Sequence, residues 1–151
     1  MSELKHKVLF VCIHNSARSQ MAEAFLNKYG HEYFIAESAG IEPGVLNPNV
    51  VKIMQEVGID LSQKGTQGVI DLFQQGKLYD AVITVCDAAN AERCPVFPGT
   101  AKRIAWSFED PSSFKGSSME ILQNTRKIRD EIEKSVIDFI KEASIVRFWN
   151  Y

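Results

Sequence analysis

The sequence has little cysteine and little histidine, with three of each among 151 residues. An odd number of cysteines argues against a secreted scaffold in which every cysteine is paired in a disulfide. The spacings of Cys12, Cys86 and Cys94 match no zinc template, and the histidines stand apart from Cys86 and Cys94. We therefore expect no metal and no cofactor. In a reducing compartment the thiols are then either inert core residues or redox-active groups.

The sequence also lacks an excess of charge and a long apolar run. The formal net charge is −2, which gives no reason to expect binding to nucleic acid or to an acidic membrane. No apolar stretch reaches the length of a membrane span, and residues 1–7 contain no apolar signal core. We expect a cytoplasmic protein. Its length predicts a single domain over residues 1–151, since no repeat or linker divides the chain.

One stretch, residues 7–26, organises the rest of the chain. Residues 8–11 are uninterruptedly apolar, which is typical of a strand buried on both faces of a parallel sheet. From Met21 the apolar residues recur at helical spacing as far as Tyr29, and Gly30 follows at the position of a helix C-cap. A short polar loop therefore joins a buried strand to a helix N-terminus. Backbone N–H groups in such a loop can bind a tetrahedral oxyanion.

Cys12 opens this loop and Arg18 closes it. A guanidinium can bind two oxygens of a phosphate-like dianion at once. The same positive surroundings favour the thiolate, which is the nucleophilic form of cysteine. The alternative is a buried structural cysteine followed by a surface arginine. Their position between an apolar strand and an amphipathic helix favours the functional interpretation.

Residues 12–23 (CIHNSARSQMAE) resemble the C-x5-R-S phosphate loop of the low-molecular-weight protein tyrosine phosphatase family, and in particular its arsenate reductase branch. The resemblance implies that Cys12 attacks an oxyanion held by the loop. Asn15 and Ser19 are expected to hold the loop and to hydrogen-bond the thiolate, whereas His14 has no chemical role. The residues expected to bind the oxyanion are Ile13, His14, Asn15, Ser16, Ala17, Arg18 and Ser19.

Strand and helix patterns alternate along the remaining chain. Strands are predicted at residues 33–36, 79–85 and 102–106, and helices from Asn47-Pro48, around residues 69–73 and over residues 118–143. This alternation predicts an α/β fold, a four-stranded parallel sheet with helices on both faces. The resemblance implies the strand order 2-1-3-4. Some thioredoxin-linked relatives hold a potassium ion with a carboxylate where this chain has Gln67 or Gly68, so that ion is not expected here.

Two features leave alternatives open. The run Ser38-Ala39-Gly40 after the second strand resembles a family segment that lies near the phosphate loop, or is an ordinary turn between strand and helix. The aromatic tail, residues 144–151, packs either on its own domain or on a partner.

The ends of two further strands carry candidate catalytic residues. Cys86 ends the third strand, so parallel pairing puts it at the same sheet edge as Cys12. Residues 87–99 are small, polar and punctuated by glycine and proline, which predicts a mobile surface loop that carries Cys94. Asp110, followed by Pro111, resembles the general-acid aspartate of the family; the alternative is a capping or turn aspartate.

The resemblance to arsenate reductases implies a relay of three thiols. Cys12 forms an adduct with arsenate, Cys86 attacks this adduct, and Cys94 then takes over the disulfide, which thioredoxin reduces. Phosphate and sulfate are expected as analogues of arsenate. The first alternative is a low-molecular-weight phosphatase that hydrolyses phosphate esters through Cys12, with Cys86 and Cys94 as core or incidental thiols. The second is a phosphate-binding redox sensor without turnover.

Overall fold

A computed structural model describes residues 5–86 and 88–149, with the backbone alone at residues 88, 146 and 147. Within these ranges the strands are β1 (His6–Cys12), β2 (Phe34–Gly40), β3 (Ala81–Thr84) and β4 (Lys102–Ala105). The helices are α1 (Arg18–Tyr29), α2 (Pro48–Gln55), α3 (Val69–Gln74), α4 (Ala88–Ala91), α5 (Ser118–Ala143) and α6 (Val146–Trp149), with a 3₁₀ turn at Pro111–Ser113.

The four strands form one parallel sheet in the order β2-β1-β3-β4. This confirms the predicted fold class and strand order. β1 lies in the interior of the sheet, and residues 8–11 are completely buried. Alternate side chains of β1 face two apolar clusters on opposite sides of the sheet: Val8 and Phe10 face one, and Leu9 and Val11 face the other. The carboxyl ends of all four strands meet at one edge, where the candidate residues lie.

Helices cover both faces of the sheet, as predicted. Side chains of α1, α2 and α5 fill the larger cluster, and Val69 and Leu72 of α3 belong to the smaller one. Two helix starts follow their sequence signals. The Asn47 side chain accepts a hydrogen bond from the Asn49 N–H (2.8 Å) with Pro48 at the first helical position. Ser117 and Glu120 form a capping box at the start of α5.

Two local predictions need correction. β2 extends to Gly40 rather than ending at residue 36, because it pairs with β1 along its whole length. Residues 88–91, predicted as part of a loop, form the short helix α4. Four residues are too few to show a helical period in the sequence, so this helix is stabilised by its tertiary contacts.

The described part of the aromatic tail packs on its own chain through Phe148 and Trp149, while residues 150 and 151 lie outside the described residues. The Trp149 ring stacks on His6 with a centroid distance of 4.0 Å, and its indole N–H donates to the Ala143 carbonyl (2.8 Å). Phe148 meets Phe139 of α5 edge to face. These contacts lie near the amino-terminal end of β1, away from Cys12. Among the described helices, none has the length and apolar character that a membrane span requires.

Candidate active site

In the loop between β1 and α1, backbone carbonyl groups accept hydrogen bonds from a neighbouring segment of the chain. Four of them accept hydrogen bonds from the backbone that follows β2: Cys12 from Ile41 (3.0 Å), Ile13 from Glu42 (2.7 Å), His14 from Gly44 (2.9 Å) and Ser16 from Asn47 (2.9 Å). In a planar trans peptide the N–H points away from the C=O. The N–H groups that follow these carbonyls are therefore turned to the inside of the loop, where they form a cradle in front of α1 whose geometry suits an anion.

The Cys12 sulfur lies at the base of this cradle. Its Sγ is 2.8 Å from the Ser19 Oγ and 3.1 Å from the backbone nitrogen of Asn15. Both groups can donate a hydrogen bond to a thiolate. The Cys12 side chain is only 2 % exposed, so a reactant reaches it through the mouth of the cradle.

Asn15 holds the loop in its bent form. Its φ angle of 56° lies in the left-handed region, which costs a non-glycine residue free energy unless its surroundings stabilise it. The Asn15 Nδ2 donates to Ser19 Oγ (2.8 Å) and to Ser38 Oγ (2.9 Å), and the Oδ1 accepts from the backbone N–H of Gln67 (3.0 Å). The side chain is completely buried, and these bonds connect the loop to β2 and to the segment before α3.

The Asn15 contacts continue outward to a partly buried ion pair between Glu23 and Lys64. The Ser38 hydroxyl donates to Glu23 Oε1 (2.6 Å), and the Lys64 ammonium lies 3.0 Å from Glu23 Oε2. The Glu23 side chain is 11 % exposed, so Lys64 balances a carboxylate that has lost most of its water. The result is a continuous polar path from Lys64 to the loop around Cys12.

Gly40 supports the loop by close approach. A Cβ at this position would lie 2.8 Å from Asn15 N, His14 C and Ile13 O. Only glycine therefore allows β2 to end against the anion-binding loop. Of the two interpretations of Ser38-Ala39-Gly40, the structure favours the segment near the phosphate loop over an ordinary turn.

Arg18 and Asp110 meet at the mouth of the cradle. The Arg18 Nη2 lies 3.6 Å from Asp110 Oδ2, and its Nη1 donates to the Phe108 carbonyl (3.1 Å). Arg18 is only 6 % exposed, and these contacts hold its guanidinium beside Phe108 and Asp110. The other Asp110 oxygen, Oδ1, accepts from the Ser112 N–H (2.9 Å) and caps the 3₁₀ turn. The aspartate thus caps a turn with one oxygen and faces Arg18 with the other.

Cys86 lies at the same sheet edge as Cys12. Val11 of β1 is in register with Thr84 of β3, and the Val85 N–H donates to the Val11 carbonyl (2.8 Å). Cys86 therefore follows β3 one residue beyond the position opposite Cys12. None of the three cysteines is in a disulfide, and all three are buried.

Cys94 lies on a segment whose neighbours Glu92, Arg93 and Val96 are exposed, as expected of a surface loop, but its own side chain is buried. Cys94 is 3 % exposed and belongs to the smaller apolar cluster, with Leu9, Val69 and Phe97 among its members. Burial raises the pKa of the Cys94 thiol, while the nearby Arg103 charge acts in the opposite direction. In this state Cys94 is an unreactive core thiol, and it must leave the cluster before it can act.

Comparison with known proteins identifies the family. Residues 7–146 match the family described as low molecular weight phosphotyrosine protein phosphatase. The chain belongs to this family.

The relatives of the chain within the family include arsenate reductases. This chain is 42 % identical over 137 residues to an arsenate reductase of Halalkalibacterium halodurans. The match covers 89 % of this chain and 95 % of that protein. A solved structure described as an arsenate reductase in the phosphate binding state superposes with a TM-score of 0.73 at 31 % identity, covering 91 % of this chain and 98 % of the other. A thioredoxin-dependent arsenate reductase of Corynebacterium glutamicum has a TM-score of 0.61 at 28 % identity, over 91 % of this chain and 64 % of that chain.

Several residues of this family site escaped the sequence reasoning. Ser38, Gly40 and Glu23 stand inside runs that carry the resemblance, so their positions carried a signal even though no role was assigned to them. Lys64 had no such signal. It stands 41 residues from Glu23 in a segment without a pattern, and only folding brings the two side chains together.

Proposed function

We propose that this member of the family is a thioredoxin-coupled arsenate reductase. The observation that carries the proposal is the pair of extra thiols: Cys86 follows the strand next to that of Cys12, and Cys94 stands eight residues further along the chain. Hydrolysis of a phosphate ester requires only the cradle, Cys12, Arg18 and Asp110. Reduction of an oxyanion requires in addition a source of two electrons, which a second thiol can supply.

In the first step arsenate binds to the inward N–H groups of the loop and to Arg18. The Cys12 thiolate attacks the arsenic atom, and an S–As bond forms while an As–O bond breaks. Asp110 supplies the proton with which this oxygen leaves as water. The position of Asp110 beside Arg18, at 3.6 Å, supports this assignment, because the guanidinium that binds the oxyanion also contacts the proton donor.

In the second step the Cys86 thiolate attacks the sulfur of Cys12. The S–S bond forms, the S–As bond breaks, and its electron pair stays on arsenic, which leaves as arsenite. The two sulfur atoms have together lost two electrons, and arsenic has gained them. The β1–β3 register supports this order, since it brings the ends of the two strands side by side.

In the third step Cys94 attacks Cys86 and releases Cys12 as a thiolate. The final Cys86–Cys94 disulfide is then reduced by an external dithiol, for which we propose thioredoxin. The likeness to the thioredoxin-dependent reductase of C. glutamicum supports this choice. A reducing cytoplasm suits such a cycle, because it keeps the resting thiols reduced.

A phosphatase is the second candidate, because the family is named for that activity and the cradle suits phosphate equally well. Hydrolysis and reduction share the first step and differ in the fate of the Cys12 adduct. A redox sensor would form the disulfide with peroxide and would consume no arsenate.

A coupled assay separates these functions. NADPH oxidation by thioredoxin reductase and thioredoxin should depend on both this protein and arsenate. Cys94→Ser should reduce one equivalent of arsenate and stop with a Cys12–Cys86 disulfide, which peptide mapping identifies. Cys86→Ser should release no arsenite, although both variants keep any hydrolysis of an aryl phosphate. Multiple turnover by Cys86→Ser with thioredoxin would contradict the relay.

A further inference from the structure

The side chain of Arg103 ties the Cys94 segment to the sheet. Arg103 belongs to β4, the edge strand beside β3. Its Nη1 donates to the Pro95 carbonyl (3.2 Å), and its Nη2 donates to the carbonyls of Ala91 (3.0 Å) and Cys94 (3.1 Å). One planar guanidinium thus binds the last residue of α4, Cys94 itself and the residue that follows it. Such a fork is a geometry that lysine cannot reproduce.

Apolar packing holds the same segment from its other side. The Cys94 side chain is buried in the smaller cluster, in which Val69, Leu72 and Phe97 also lie. Backbone bonds from Arg93 to Asn90 (3.0 Å) and from Cys94 to Ala91 (3.1 Å) close the turn after α4. The thiol therefore faces the core while its carbonyl is bound by Arg103.

A Cys86–Cys94 disulfide joins two residues of which only Cys94 belongs to the smaller apolar cluster. A disulfide needs the two Cα atoms within about 7 Å and the two Cβ atoms directed at each other. Between the two cysteines lies α4, and the Cys94 side chain is packed in the apolar cluster. Any pairing with Cys86 that draws Cys94 out of the cluster also moves the carbonyls that Arg103 binds.

We propose that Arg103 is a positioning residue of the thiol relay, which holds Cys94 in the apolar cluster and prevents it from pairing with Cys86 before arsenate has been reduced. This inference rests on the proposed function. An early Cys86–Cys94 disulfide, formed by a peroxide or by another disulfide, would remove the thiol that must attack the Cys12 adduct. By slowing the release of Cys94, Arg103 lets the Cys12–Cys86 disulfide form first.

The charge of Arg103 and its hydrogen bonds to the backbone carbonyls have opposite effects on the reactivity of Cys94. The charge favours the thiolate, so its loss alone would slow alkylation of Cys94. The hydrogen bonds keep the thiol buried, so their loss alone would speed it. The sign of the change in an Arg103 variant therefore tells which effect dominates.

The first measurement uses the reduced protein without arsenate. Iodoacetamide labelling with peptide mapping gives the rate at each cysteine. In Arg103→Met we expect Cys94 to react about tenfold faster than in wild type, which corresponds to about 1.4 kcal/mol in the opening equilibrium. Cys12 should keep its rate and its protection by phosphate. Arg103→Lys keeps the charge and loses the fork, so its Cys94 should react at least as fast as in Arg103→Met.

Arg93→Met is the matched control. Arg93 and Arg103 are both exposed and carry the same charge, but Arg93 binds the exposed Glu42 carboxylate and the Asn90 side chain instead of backbone carbonyls. An exposed pair contributes little, so this variant should change the Cys94 rate by less than about twofold. An equal effect of Arg93→Met and Arg103→Met would overturn the proposal. Unchanged or slower labelling of Cys94 in Arg103→Met would also overturn it, and so would a similar increase at all three cysteines. If Arg103→Met does not fold, an unchanged Cys94 rate in Arg103→Lys would overturn the proposal.

The second measurement follows one turnover with arsenate. Arsenite release by Arg103→Met should keep the wild-type rate, because it depends on Cys12 and Cys86. The conversion of the Cys12–Cys86 disulfide into Cys86–Cys94 should become faster. A general loss of stability would instead slow both steps, and that result would count against a positioning role. Absence of arsenite in the wild type would refute the proposed reductase while leaving the labelling result intact.

Discussion

A methyl group added at Gly40 should displace the anion-binding loop. In Gly40→Ala the new Cβ would lie 2.8 Å from three backbone atoms of the loop, in Ile13, His14 and Asn15. Ordinary contacts of a Cβ begin at 3.4 Å, so the loop and β2 must separate by about 0.6 Å. No side-chain rotation can relieve these contacts, because all three atoms belong to the backbone.

The structure sets the size of the expected effects. Overpacking of this kind costs about 1–3 kcal/mol of unfolding free energy. For a domain of this length each kcal/mol lowers the Tm by about 2–4 °C, so the Tm should fall by roughly 2–12 °C. Loss of one well-aligned hydrogen bond to a charged ligand costs about 1.5–3 kcal/mol. Phosphate affinity should therefore fall by at least about tenfold.

Protection of Cys12 from iodoacetamide at increasing phosphate concentration measures this affinity. Gly65→Ala is the matched control, since a Cβ at Gly65 meets nothing within 4 Å and the residue has no positive φ. It should bind phosphate like the wild type. If Gly40→Ala also protects Cys12 at wild-type phosphate concentrations, the close approach of β2 does not shape the cradle, and the argument from Gly40 is refuted.

Two further predictions concern carboxylates. Asp110→Asn removes the transferable proton and should slow arsenite formation in a single turnover by about 10²–10⁴-fold while phosphate still protects Cys12; near wild-type turnover would place the acid elsewhere. Hydrogen bonds from Arg126, and secondarily from Arg129, lower the pKa of Glu56 to about 2. The stabilising effect of the Glu56 carboxylate is therefore present above the ordinary carboxyl pKa and is lost as the pH falls towards 2. Because the Glu56 side chain is 40 % exposed, urea unfolding should show Glu56→Gln less stable than wild type by no more than about 1 kcal/mol at pH 7, with the difference vanishing near pH 2. A difference that stays constant with pH would contradict this assignment.

The elements near Cys12 could be predicted because their signals are local. An apolar run next to a polar loop and an amphipathic helix is enough to indicate β1, the loop and α1 in their order. The apolar stripe of α5 likewise predicted that helix at its observed ends, Ser118 and Ala143. Parallel pairing then brought the strand ends to one edge, which is why Cys12 and Cys86 could be expected together.

The fate of Cys94 was decided by tertiary structure alone. Its neighbours in the sequence are polar or turn-forming, which indicates a surface loop, whereas the side chain is 3 % exposed in an apolar cluster built from β1, α3 and the residues around Phe97. Arg103, nine residues further along, completes the arrangement by binding the Cys94 carbonyl. No local pattern in the sequence predicts such a contact, because a side chain in a surface loop is buried only when the rest of the fold supplies an apolar surface for it and partners for the backbone.

The support of the anion-binding loop has the same origin. From the sequence alone, Cys12, Arg18 and the residues between them predict what the loop binds. The bonds that hold Asn15 in its left-handed form come from Ser38 and Gln67, 23 and 52 residues away. Residues so far apart meet only after the sheet has formed. The sequence by itself therefore determined the chemistry that we propose for the site, and tertiary packing determined its shape, since a bent loop keeps its form only through contacts with distant parts of the chain.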